Sequence, residues 1–118
     1  MITQKLFTNP DLTHEELEAA VDANVNSKNF GEGFISCYEF SKAALCALTL
    51  VQAKAYPNLT ITSLNPGFVQ TAMSAGYGAK LTPEEGCVSS IKCLFGPVVS
   101  GCYYDSNGLR SPLICMCS

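Results

Sequence analysis

CYEFSKAALCALTLVQAKAYPNLTITSLNPG, residues 37–67, is the stretch whose reading decides the fold. Tyr38, Ser41, Lys42, Leu45, Leu48, Thr49 and Gln52 recur at helical spacing, and Phe40, Ala43, Ala44, Ala47, Leu50 and Val51 fill the remaining positions. This pattern predicts a long helix from about Ser36 to Tyr56, apolar nearly all round and therefore buried on more than one side. Pro57 ends it, because proline lacks the amide proton and disfavours helix in the residue before it. LTITSL, 59–64, is rich in β-branched residues and predicts a strand. NPG, 65–67, then signals a turn.

Upstream of this stretch, residues 1–12 read as irregular. Thr13 and Glu16 form a Thr-x-x-Glu capping box, so a helix starts there. Leu17, Ala20, Val21 and Asn24 make a thin stripe among acidic residues, which predicts a surface helix ending in the polar NSKNFGEG, 26–33. Downstream, TPEE, 82–85, repeats the capping box with Pro83 at the first helical position, opening a helix that runs to about Leu94. After the Gly96–Pro97 break, SGCYY, 100–104, reads as a short strand and NGLRSP as a turn-rich end. Two strands flanking a helix predict a right-handed βαβ crossover and a parallel sheet. Two strands alone do not make a stable sheet. The expected fold class is therefore α/β, part of a larger layered fold: two strands and three helices, with the rest of the sheet outside this chain.

The composition supports a core-forming sequence. Hydrophobic residues make up 47% of the 118 residues, yet charged residues only 14%, fewer than a self-contained soluble domain usually carries. A chain this apolar is expected to lie against more protein than it contains. Its net charge of −3 excludes a basic nucleic-acid-binding face. The N-terminus lacks the apolar core of a secretory signal, and no apolar run is long enough to span a membrane. The NLT acceptor pattern at 58–60 therefore carries no meaning without a secretory route. Seven cysteines, an odd number with no matched metal-binding spacing, read as reduced and mostly buried thiols of a cytoplasmic protein. No metal site is expected, because the lone His14 fits no zinc pattern. A redox-sensing role for Cys115 and Cys117 is a further, weaker reading.

Tyr38 and Lys42 are four residues apart, so a helix turns both to the same side. A phenol is a poor acid–base catalyst near neutral pH, but an adjacent ammonium favours its phenolate. Such a phenol can give a proton to a developing alkoxide. Ser41, Ala43 and Ala44 are small enough to let a flat ligand approach. The spacing fits equally a Tyr and a Lys that merely share an exposed helix face, and by itself it does not choose.

YEFSKAAL, followed by LTITSL and then NPGFVQTAM, resembles the second half of a short-chain dehydrogenase/reductase. The family carries a Tyr-x-x-x-Lys pair on a long helix and, after the next strand, a Pro-Gly turn followed by Val and Thr. LTPEEG and the segment ending SGCYY are similar to the carbonyl reductase branch. LTHEELEAAVDAN resembles the extra helix which that branch inserts ahead of its tyrosine, over a face other relatives use to dimerise. The resemblance runs from about Leu12 to Ser111. It implies the C-terminal catalytic half, residues 1–118, of a Rossmann-like doubly wound parallel sheet. It implies an oxidoreductase that reduces ketones, aldehydes or quinones with NADPH. Tyr38 would donate the proton, and Lys42 would sharpen its acidity and hold the nicotinamide ribose. Pro66 and Gly67 would line the nicotinamide pocket, with Val69 and Thr71 contacting the carboxamide or phosphates. Phe68 would stand beside the carbonyl substrate.

Two parts of the family pattern are absent. No Gly-rich strand-to-helix turn is present to hold a pyrophosphate; GEG at 31–33 follows no strand. The family's catalytic serine has no counterpart, since its plain position falls at Val25 and Asn26, and Ser27 and Ser36 lie on the wrong side of the inserted helix. The expectation is a truncated form with little activity alone, because hydride transfer needs the cofactor firmly oriented. The alternative is a non-catalytic fragment that pairs with another chain to complete the sheet.

Overall fold

A computed structural model describes residues 2–27 and 34–111. Its helices are α1 (Ile2–Phe7), α2 (His14–Asn26), α3 (Phe34–Ala55), α4 (Pro83–Gly86) and α5 (Val88–Phe95); its strands are β1 (Ser63–Leu64) and β2 (Tyr103–Tyr104). The strands form one parallel pair, with Ser63 opposite Tyr103 and Leu64 opposite Tyr104. α4 and α5 lie in the crossover between them, so the order expected from the sequence is present.

Both capping boxes form. Thr13 Oγ1 accepts from Glu16 N at 3.2 Å while Glu16 Oε2 accepts from Thr13 N at 3.0 Å. Thr82 and Glu85 repeat this at 3.2 and 2.7 Å. Each box satisfies two amides that the first helical turn leaves unpaired.

Several expectations need correction. Residues 2–7 are helical, not irregular. Phe7 and Leu12 are buried with Leu17 and Ala47, packed round by Leu6, Ala20, Val21, Phe40, Ala44, Leu48 and Val51. The Phe7 and Phe40 rings meet at 5.5 Å with a 49° tilt. The thin stripe of α2 is therefore a genuine core face, made sufficient by the apolar residues of α1. The helix expected over 82–94 breaks at Cys87, whose amide reaches back only three residues to Glu84 O at 3.1 Å. Gly86, just before the break, is buried against Val69. Five helical segments thus stand among the described residues where three were expected.

Both strands are shorter than expected, and one cause serves for both. The Ser100 hydroxyl donates to Leu59 O and Ile61 O at 3.3 and 3.5 Å, and accepts from Ile61 N at 3.1 Å. Cys102 N turns back to Val99 O at 3.3 Å. Backbone pairing continues beyond the strands, with Gly101 N donating to Ile61 O at 2.7 Å and Ser63 N to Cys102 O at 3.2 Å, but the Ser100 side chain and the tight turn interleave with it. The long helix is also less covered than its composition predicted: Tyr38 is 53% and Leu45 54% exposed. α1 and α2 pack against it, while Tyr38 and Leu45 face outward. Of the five cysteines described, only Cys102 is buried; Cys37, Cys46 and Cys93 are half-buried and Cys87 is exposed. Cys115, Cys117, the GEG stretch and the Ser36 side chain lie outside the described residues. No helix among the described residues is long and apolar enough to cross a membrane.

Candidate functional site

Residues 38, 42 and 46 lie one turn apart along α3 and make a single stripe. The Lys42 ammonium sits over the Tyr38 ring, 5.4 Å from its centroid. The two side chains therefore share a side, as the spacing predicts, and the cation faces the electron-rich ring. Next along the stripe, Cys46 lies toward Ser63 of β1. Burial pushes this thiol above its ordinary value of 9.0, and the Ser63 side chain and the Lys42 charge only partly oppose that.

Side chains alternate along a strand, so Ser63 and Asn65 lean the same way, as do Tyr103 and Asp105 across the parallel pair. The Tyr103 phenol accordingly lies within electrostatic reach of Cys46, Asp105 and Tyr38. Burial, more than these neighbours, raises its pKa above the ordinary 10.0. The C-terminal ends of both strands and the start of α3 thus converge, in the position where open parallel sheets hold their ligands.

Asn65 then sets the turn. Its Oδ1 accepts from Gly67 N at 2.8 Å, its amide N donates to Tyr104 O at 2.9 Å, and its carbonyl accepts from the fully buried Ser89 hydroxyl at 2.9 Å. Gly67 has φ +81°, which a side chain rarely adopts, and a Cβ there would collide with Leu81. This explains the glycine of NPG in physical terms. Pro66 is exposed and Phe68 is 52% exposed, so the turn leaves apolar surface open next to Asn65.

Val69 and Thr71 belong to the next layer. Val69 bridges to Leu81 and packs its side chain on Gly86. The Thr71 hydroxyl lies 3.1 Å from Ser74 Oγ, which donates to Val69 O at 2.6 Å. Thr71 lines a separate open depression of about 700 Å³ with Gln70, Ala72, Ser74 and Ala79. The structure therefore joins Tyr38 to Lys42, with Tyr103 within electrostatic reach of Tyr38.

Cys46, Ser63, Asn65, Tyr103 and Asp105 were not singled out from the sequence. The signals were present but faint: Cys46 continues the four-residue spacing of the Tyr–Lys pair, and Ser63 and Asn65 alternate toward the helix-facing side of the strand. No group of His, Cys, Asp and Glu among the described residues is placed to hold a metal ion.

Several known proteins have similar sequences. The chain is 35% identical over 107 residues to Short-chain dehydrogenase/reductase 1 of Saponaria officinalis, covering 81% of this chain and 34% of that protein. It is 32% identical over 106 residues to (+)-neomenthol dehydrogenase of Arabidopsis thaliana, covering 80% of this chain and 35% of the relative. It is 35% identical over 113 residues to salutaridine reductase of Papaver bracteatum, covering 85% and 35%. The chain belongs to the short-chain dehydrogenase/reductase family. It spans about a third of the length of the curated relatives it matches. No family model matches it. Its two parallel strands and the crossover helices agree with part of a Rossmann-like sheet.

Proposed function

We propose that this chain supplies the proton donor and the nicotinamide side of a reductase acting on small carbonyl compounds, with NADPH as cofactor. The observation that carries this reading is the shared side of Tyr38 and Lys42, with the ammonium 5.4 Å from the ring centroid. The bound cofactor would supply the hydride that goes to the carbonyl carbon. Tyr38 gives its hydroxyl proton to the carbonyl oxygen, so a C–H and an O–H bond form as the C=O double bond is reduced. Lys42 stabilises the phenolate charge left on Tyr38 and donates to the ribose hydroxyls. Pro66, Gly67 and Val69 offer backbone and apolar surface to the nicotinamide, and Phe68 faces the substrate. Thr71, held by Ser74, serves the carboxamide or phosphates after its hydroxyl turns away from that partner.

Exposed Pro66 and Phe68 flank the turn after β1 and support this reading by leaving apolar surface open for the nicotinamide end. No glycine-rich strand-to-helix turn stands among the described residues to clamp a pyrophosphate. The dinucleotide-binding half therefore belongs to the two thirds of the relatives' length that this chain does not span, and residues 1–118 alone are expected to have little reductase activity. Cytoplasmic location and the carbonyl reductase branch remain part of this reading.

A second reading is favoured by the exposed apolar face of α5. Ile91, Leu94 and Phe95 are 56, 74 and 84% exposed. In that reading the chain pairs with another chain that completes the sheet, without catalysis.

Reduced nicotinamide mononucleotide, which lacks the adenine half, tests the first reading on the chain itself. Titrated into protein labelled at glycine and tyrosine, it should shift the Gly67 amide and the Tyr38 ring together while leaving Gly101 in place. No shift at either residue, at saturating ligand, would contradict the proposal.

A further inference from the structure

The peptide unit between Asn65 and Pro66 carries a single hydrogen-bonding group, because proline brings no amide proton to it. Its plane is therefore held by whatever meets the Asn65 carbonyl. β2 does not supply the donor. Past Tyr104 the chain turns away, with Asp105 N bonded to Leu109 O at 2.9 Å, and no main-chain amide among the described residues donates to Asn65 O. The donor is the Ser89 hydroxyl, 2.9 Å away and 24 residues distant in sequence, on a side chain with no exposed surface. A helical serine commonly turns its hydroxyl back onto a carbonyl of its own helix. Ser89 of α5 instead spends its proton on the end of β1.

We propose that Ser89 is a positioning residue: its buried hydroxyl pins the Asn65 carbonyl and so sets the peptide plane from which Pro66 and Gly67 present their surface to the nicotinamide. The proline ring fixes φ at residue 66, so the plane before it also decides where that ring points. The other contacts of the turn leave this plane undecided. Asn65 Oδ1 holds Gly67 N at 2.8 Å. Leu81 accepts from Gln70 N at 2.8 Å and donates to Phe68 O at 3.3 Å, and Gly86 lies against Val69. Those bonds fasten the far end of the turn, and Ser89 fastens the near end. The break at Cys87 falls between the two helical residues that touch the turn, Gly86 at Val69 and Ser89 at Asn65. The consequence for cofactor binding rests on the reading of Pro66 and Gly67 given above; the hold of Ser89 on the turn does not.

Ser89→Ala removes one oxygen. Glycine-labelled full-length chain, with and without this change, gives amide exchange rates for Gly67, Gly86 and Gly101 side by side. Gly86 N is bonded to Thr82 O at 3.0 Å and Gly101 N to Ile61 O at 2.7 Å, so these two report on the seating of α4 and on the sheet. The expected result is exchange at Gly67 accelerated about five-fold by the loss of one hydrogen-bond constraint, with Gly86 and Gly101 unchanged. Ser89→Cys keeps the shape and a weaker donor, and should give a smaller acceleration at Gly67 alone. It decides the question should Ser89→Ala fail to fold. Unchanged Gly67 exchange overturns the proposal. Equal acceleration at all three glycines in Ser89→Cys also overturns it, because it makes Ser89 a packing residue only. A parallel titration with reduced nicotinamide mononucleotide should show binding weakened about five-fold in Ser89→Ala, the cost of a turn no longer held ready. Equal affinity in the two chains overturns the role toward the cofactor. If the unmodified chain itself shows no binding, the cofactor reading fails while the exchange rates still decide the hold of Ser89 on the turn.

Discussion

At the residue scale, position on α3 assigns different chemistry to similar groups. Lys42 lies between Tyr38 and Cys46, one turn from each. Its charge opposes the rise in the Cys46 pKa, yet burial wins and the thiol is held protonated above its ordinary 9.0. Thiolate is the reactive form, so Cys46 should be slow to alkylate. Cys87 is exposed and offers iodoacetamide free access. Mass spectrometry of a timed reaction near pH 8 should find Cys87 modified well before Cys46; the reverse order would contradict the burial of Cys46 against Ser63. The sign of the linkage follows. A thiol with a raised folded-state pKa binds its proton more tightly when folded. Its contribution to stability is complete below the unfolded value of 9.0 and is lost as the pH rises through the higher folded value. Tyr103 acts in the same sense above its ordinary 10.0. Urea midpoints should therefore fall on the alkaline side of this range, and Cys46→Ala should reduce the fall.

At the element scale, what was legible followed short-range rules. Both capping boxes, the long helix, the turn at 65–67 and the parallel crossover were readable because each depends on residues within a few positions of one another. The misreadings came from partners distant in sequence. α1 is helical although its residues gave no strong local signal; its Phe7 is fixed by Phe40 on another helix. The pairing beyond the strands is irregular where the Ser100 hydroxyl meets Ile61, 39 residues away. The break between α4 and α5 sits where Gly86 meets Val69, and a Cβ at Gly86 would stand 2.5 Å from Val69 Cγ2. Overfilling a packed contact of this kind costs about 1–3 kcal/mol, more than alanine returns in helix propensity. Gly86→Ala should therefore lower the unfolding free energy by about 1 kcal/mol or more. A gain in stability would show that Val69 has room to move, and that it does not hold the turn against α4.

At the scale of the whole molecule, a packed cluster joins α1, α2 and α3, while the sheet among the described residues is two strands wide. The Tyr–Lys pair was legible in the sequence because helical spacing fixes it. Tyr103 and Asn65 were not, because a parallel register brings them together across some forty residues of chain. The face of α5 and the outer side of α3 expose apolar side chains of the size that domains usually bury. Together with coverage of about a third of the relatives' length, this is the surface expected to meet the dinucleotide-binding part of a reductase. The most direct measurement of the central claim joins the two parts. Residues 1–118 are co-expressed with the portion of the Arabidopsis thaliana relative that precedes the matched region, and ketone-dependent oxidation of NADPH is followed in the purified complex. The account predicts turnover in the complex, a loss of about 10²-fold or more in Tyr38→Phe, and undiminished co-purification of that variant. A complex that forms and reduces the ketone equally well with Phe at position 38 would contradict the assignment of Tyr38 as proton donor.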